Sequence, residues 1–139
     1  MIIIALLPLI MIFAVGKYDE QFEYRDVVVI YDIKIPDIEN FSVTKLNSSE
    51  DGRYYSLLIG NNGEYKEMPI YKKDTIFEKQ PIEKPILKVI YRKKFEKVDP
   101  VIPEQDYRNI KDKNDLVEYL IKYRKPEKYK IIMPEGTFN

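Results

Sequence analysis

The sequence predicts a mainly β domain, a small antiparallel barrel or sandwich with one late amphipathic helix, set behind an N-terminal membrane helix. Three observations carry that expectation. Short stretches in which apolar and polar residues alternate recur between Val27 and Met133, the period of half-buried strands. Turn-forming residues punctuate them, most clearly at 47–52 (NSSEDG) and 60–63 (GNNG). Only residues 115–125 carry an apolar stripe at helical spacing. An α+β sheet backed by that helix is the alternative arrangement.

Residues 1–16 (MIIIALLPLIMIFAVG) hold no charged or polar side chain, and all 23 basic and 23 acidic residues follow Gly16. A run that is apolar on every side has no face for water, so it belongs in lipid or inside a core. As a helix it reaches about 24 Å, short of a hydrocarbon layer of about 30 Å. Pro8 also removes a backbone hydrogen bond near its centre. The length suits the apolar region of a secretion signal, with Ala14-Val15-Gly16 as a small-x-small cleavage site, yet no basic residue precedes it. Three readings stand: an uncleaved anchor, a cleaved signal, or a buried element of the domain. The anchor is carried forward, giving a single-pass membrane protein. Lys17 and Arg25 are diluted by neighbouring acids, and the signal-like length favours a domain outside the cytoplasm.

Residues 17–26 (KYDEQFEYRD) read as a charged, aromatic linker, 27–133 as one β-rich domain and 134–139 as a polar tail. A chain of this size buries roughly 65% of its unfolded surface, enough for one core. The strongest strand is 27–35, with Val27, Val29, Tyr31, Ile33 and Ile35 on one face, and Pro36 ends it. A second strand is expected at 41–46. Strands at 54–59 and 64–71 pair as a hairpin, because Asn62-Gly63 accepts positive φ at both turn positions. Pro69 puts the returning strand at a sheet edge or cuts it short. Pro81 and Pro85 make 72–85 mostly loop, 86–92 is a strand, and 98–103 (VDPVIP) is an extended connector. Asp115 caps the helix with Glu118 at the capping-box position. Leu116, Tyr119, Leu120 and Tyr123 form its stripe, Pro126 stops it, and 129–133 is the last strand.

The formal net charge is zero, which argues against a partner held by long-range attraction, such as a nucleic-acid backbone. Without Cys or His there are no disulfides, no thiolate and no nitrogen or sulfur zinc site; only an all-oxygen metal site is open. Asp112-Lys113-Asn114-Asp115 begins like a calcium loop, but Leu116 stands where an oxygen ligand belongs. Gly60–Gly63 has the GxxG spelling of a nucleic-acid loop, yet it joins strands and carries no basic residue. Asp37, Glu39, Glu50 and Asp51 read as solvated loop acids rather than a paired-carboxylate cleft. A Ser-Lys pair is the only nucleophile scheme left, and Ser42, Ser48, Ser49 and Ser56 are read as having no lysine partner at Ser-x-x-Lys spacing. The expectation is a protein with no catalytic role, no cofactor and no small-molecule substrate.

Two stretches interleave basic and aromatic residues, 91–95 (YRKKF) and 123–130 (YRKPEKYK). Tyr91, Arg92, Lys93, Lys94, Tyr123 and Arg124 are the candidate interaction surface, and tyrosine suits that use because it offers large area with a polar tip. The sequence thus reads as a membrane-anchored interaction domain with a protein partner. An accessory subunit of a larger membrane complex is one alternative, and a small barrel that binds nucleic acid or lipid is another.

Overall fold

Thirteen residues, Phe22–Lys34, form β1, the spine of the sheet. The computed structural model describes residues 20–35, 42–61, 64–108 and 114–136. The expected membrane helix at 1–16 lies outside the described residues, as do Pro36, the Asn62-Gly63 turn and the first half of the would-be calcium loop, Asp112-Lys113. Among the described residues no helix is long and apolar enough to cross a membrane.

The remaining elements are β2 (Tyr54–Asn61), β3 (Glu64–Tyr71), β4 (Thr75–Gln80), β5 (Ile86–Glu96), β6 (Gln105–Asp106), α1 (Asp115–Tyr123) and β7 (Lys128–Pro134). The strands lie in the order β3-β2-β1-β5-β7-β4, with β6 added parallel to β1. β1 and β5 are antiparallel over their whole shared length, from Phe22↔Glu96 to Asp32↔Ile86. The hairpin ladder of β2 and β3 reaches Asn61↔Glu64, so Asn62 and Gly63 are its connecting residues. Gly60 is required there: a Cβ on it would meet the Glu64 carbonyl oxygen and the Tyr65 ring at 2.7 Å.

β3 and β4 occupy opposite ends of the strand order, about 24 Å apart if the sheet were flat. Only the 3-10 turn Lys72–Asp74 joins them, and that link spans at most about 14 Å. The sheet therefore curls until its edges approach. Tyr55 of β2 and Phe77 of β4 meet edge to face across the seam, with ring centroids 5.9 Å apart. The ladders make β3 and β4 run in the same direction, so the chain passes from one edge to the other without reversing.

That passage corrects the expected closure. The architecture is mainly β, but it is one mixed sheet that does not close, rather than an antiparallel barrel or a sandwich. The physical reason is β4: entered without a reversal, it lies parallel to β7 and cannot complete an antiparallel ring. β4 also replaces the loop expected over 72–85. The strand expected at 41–46 is instead a 3-10 turn, Val43–Lys45, closed by the Lys45 amide donating to the Ser42 carbonyl at 2.9 Å. β1 starts at Phe22, inside the stretch read as linker, because Phe22–Asp26 pair with the long tail of β5.

The concave face of the sheet holds the main core. Val27, Val29 and Ile33 of β1, Leu87 and Val89 of β5, and Ile131 and Met133 of β7 are buried there with Leu57, Ile59 and Ile70. Val117 and Leu120 of α1 join this cluster, so the helix covers the inner face. A smaller cluster of Ile30, Ile86 and Ile132 with Val28 and Ile82 occupies the other face. This explains why β1 reads as an unbroken apolar run at Val27–Ile30: both of its faces are shielded. The helix cap is Asn114, whose side chain accepts from the Leu116 and Val117 amides at 2.9 and 3.3 Å, not Asp115. The buried stripe turns with it, to Val117 and Leu120, which leaves Tyr119 and Tyr123 exposed.

Candidate interaction surface

β1 and β5 extend past the rest of the ladder as a two-stranded arm. The β5–β7 ladder ends at Ile90↔Lys128, while β5 runs on to Glu96 with Phe22–Asp26 as its partners. Side chains alternate across this arm, and both faces show one device: a cation over an aromatic ring. On one face Arg92 lies over Tyr24 at 5.3 Å and Lys94 over Phe22 at 5.2 Å. On the other, Lys93 and Arg25 approach the Phe95 ring at 4.5 and 5.4 Å.

Arg25 also fixes the tip of the arm. Its guanidinium donates to the carbonyls of Asp99 (3.0 Å), Lys97 (3.1 Å) and Glu96 (3.2 Å), and pairs with Glu23 at 2.6 Å. A rigid planar fork satisfies several acceptors at once, which a lysine ammonium does less well. The Lys97 amide donates to the Gln21 carbonyl at 2.8 Å, so the 97–100 turn is seated against the start of β1. Beyond it the connector, with Pro100 and Pro103, leads back to β6 on β1.

The two basic–aromatic stretches of the sequence meet at the base of this arm. The Glu127 amide donates to the Ile90 carbonyl at 2.8 Å, bringing 124–128 to the point where β5 leaves the main sheet. Arg92, Lys94, Tyr123 and Arg124 are exposed and Lys93 is half-buried. Tyr123 stacks on Tyr119 with centroids 5.3 Å apart and takes Lys122 over its ring at 5.3 Å. Tyr91 is the exception: it points inward and is only 4% exposed. Strand alternation decides this, since Tyr91 shares the face of Leu87 and Val89. Sequence reasoning missed Phe22, Tyr24 and Arg25, whose role depends on their pairing with β5.

Tyr91 belongs to a second, interior group with Tyr31 and Tyr107. The rings of Tyr31 and Tyr107 are 5.8 Å apart, and the Tyr107 hydroxyl donates to Glu118 of α1 at 3.1 Å. Burial pushes the Tyr91 phenol up to about 12 and raises Tyr31 and Tyr107 as well, the last also held protonated by its bond to Glu118. This group ties β1, β5, β6 and α1 together.

Ser42 and Lys45 do have Ser-x-x-Lys spacing, but the Ser42 hydroxyl shares a 2.9 Å hydrogen bond with Thr44 on an exposed turn. Ser49 is spent on the Asp51 carboxylate at 2.6 Å, which holds that acid below its ordinary range. Among the described residues no group of three or more His, Cys, Asp or Glu is placed to hold a metal ion. No family model, no curated protein and no solved structure matches this chain.

Proposed function

We propose that this chain is a membrane-anchored interaction domain without a catalytic role, held in the bilayer by residues 1–16. One observation carries the reading: the apolar run ends at Gly16, and the folded sheet begins at Phe22. From Gly16 to Gln21 the chain reaches at most about 18 Å, so an anchored domain stands directly on the membrane surface. The exposed cation–aromatic arm then lies where a partner at that surface would meet it.

Alkaline carbonate extraction of membranes from cells expressing the full chain tests this reading. Retention in the pellet is expected, because an apolar anchor is insensitive to pH and salt. Release into the supernatant overturns the anchor.

A further inference from the structure

The two most exposed large apolar residues among the described ones lie three residues apart, in the turn at the tip of the arm and just after it. Val98 is 87% exposed and Val101 is 76% exposed. Isolated surface valines need no explanation, but these two occupy one turn and the connector that follows it. That turn is also held in place, by the three Arg25 hydrogen bonds to its carbonyls and by the Lys97 amide on Gln21. Lys93 and Lys94 on β5 and Lys97 on the turn flank it, with Arg92 and the 62% exposed Tyr24 one step further along. Two of the acids at the tip are engaged within it, Asp99 accepting from the Glu96 amide at 3.1 Å and Glu23 pairing with Arg25, while Glu20 and Glu96 are exposed.

Apolar residues at a tip, an aromatic beside them and cations behind form the sequence of layers that a bilayer interface presents in reverse. The tip is also next to the chain that leads into residues 1–16, through Gln21. We propose that the arm tip lies in the headgroup layer of the bilayer that residues 1–16 enter, with Val98 and Val101 toward the acyl chains. Arg92, Lys93 and Lys94 then face lipid phosphates, and each contributes attraction wherever those lipids are anionic. This inference rests on the anchor reading above and adds to it an orientation: β1 stands upright on the membrane with its Lys34 end outermost.

The chain contains no Trp, so one introduced indole reports alone. The test uses the full chain with Val98→Trp, reconstituted in phosphatidylcholine–phosphatidylglycerol vesicles with brominated acyl chains. Leu58→Trp is the control. Leu58 pairs with Lys34, roughly 40 Å along β1 from Phe22. Both sites are exposed, and circular dichroism checks each variant's fold. Blue-shifted, quenched emission from the indole at position 98, with unquenched emission from the control, is the expected result. Adding Arg92→Gln and Lys94→Gln lowers the docking equilibrium constant up to about 30-fold, about fivefold per charge. If the chain floats with the vesicles but the tip indole stays as exposed as the control, the tip placement is overturned and the anchor stands. If the chain does not float, the anchor reading fails and takes this inference with it. If the tip indole is shielded in native membranes but not in vesicles, a protein covers the tip, which also overturns the proposal.

Discussion

Tyr91 and Tyr24 sit on the same pair of strands, three registers apart, yet one is interior and the other is a surface ring. Tyr91 shares its face with Leu87 and Val89 and is closed over by the inner core, so its phenol is desolvated. Tyr24 lies past the point where β7 stops pairing, and the Arg92 guanidinium sits over its 62% exposed ring. Tyrosine content by itself therefore does not mark a binding surface here. What decides is whether a neighbouring strand or the helix closes over the position. On the arm the two faces divide: Phe95 turns toward the core and is buried, while Tyr24 on the opposite face is exposed.

The largest expected effect breaks this contrast directly. Tyr91→Ala should cost about 3–5 kcal/mol of stability, as for other large aromatic truncations in a core. Tyr24→Ala should cost less than about 1 kcal/mol, the range of an exposed cation–π contact. Urea unfolding of the full chain in mild detergent, followed by circular dichroism, checks both; equal costs would erase the distinction.

Titration sharpens the same contrast. Tyr31, Tyr91, Tyr107 and Tyr129 all have phenols raised by burial, Tyr91 to about 12. An unfolded tyrosine ionises near 10, so above that pH the unfolded chain gives up protons that the folded one keeps. The stability these groups contribute is whole below pH 10 and is lost as pH climbs through their folded values. Alkaline unfolding should therefore coincide with a cooperative rise in phenolate absorbance. A gradual rise with the fold intact would contradict it.

Arg25 separates the arm from the sheet. Arg25→Ala should cost about 2–3 kcal/mol, the worth of hydrogen bonds to a charged group, and Arg25→Lys should recover less than half of it. Hydrogen exchange should show the loss concentrated at Lys97 and its neighbours, with amides of the β5–β7 ladder unchanged. The smallest effect is at the helix: Asn114→Ala should cost about 1 kcal/mol, while Asp115→Ala, one residue on, should cost less.

Much of the fold was legible because local signals and burial agreed. The antiparallel pairing of β2 with β3, the edge position of Pro69 and the inward set of Val27, Val29 and Ile33 follow from local sequence pattern and strand period. β4 was not legible, since Thr75–Gln80 gains its partner from β7, more than fifty residues later, in a parallel ladder that no hairpin announces. The helix cap slipped by one residue because Asn and Asp are both good caps and only geometry chooses between Asn114 and Asp115. For the candidate surface, the basic residues were visible in the sequence. The inward turn of Tyr91, and the contribution of Phe22, Tyr24 and Arg25, depend on the β1–β5 register. Periodicity does not encode register across sixty residues.

In the proposed arrangement residues 1–16 stay with the folded domain and hold it at the membrane. Intact mass of the chain recovered from the carbonate-resistant fraction tests this most directly. The expected mass is that of a chain still containing residues 1–16. A mature chain beginning at Lys17, wherever in the cell it is found, would contradict it.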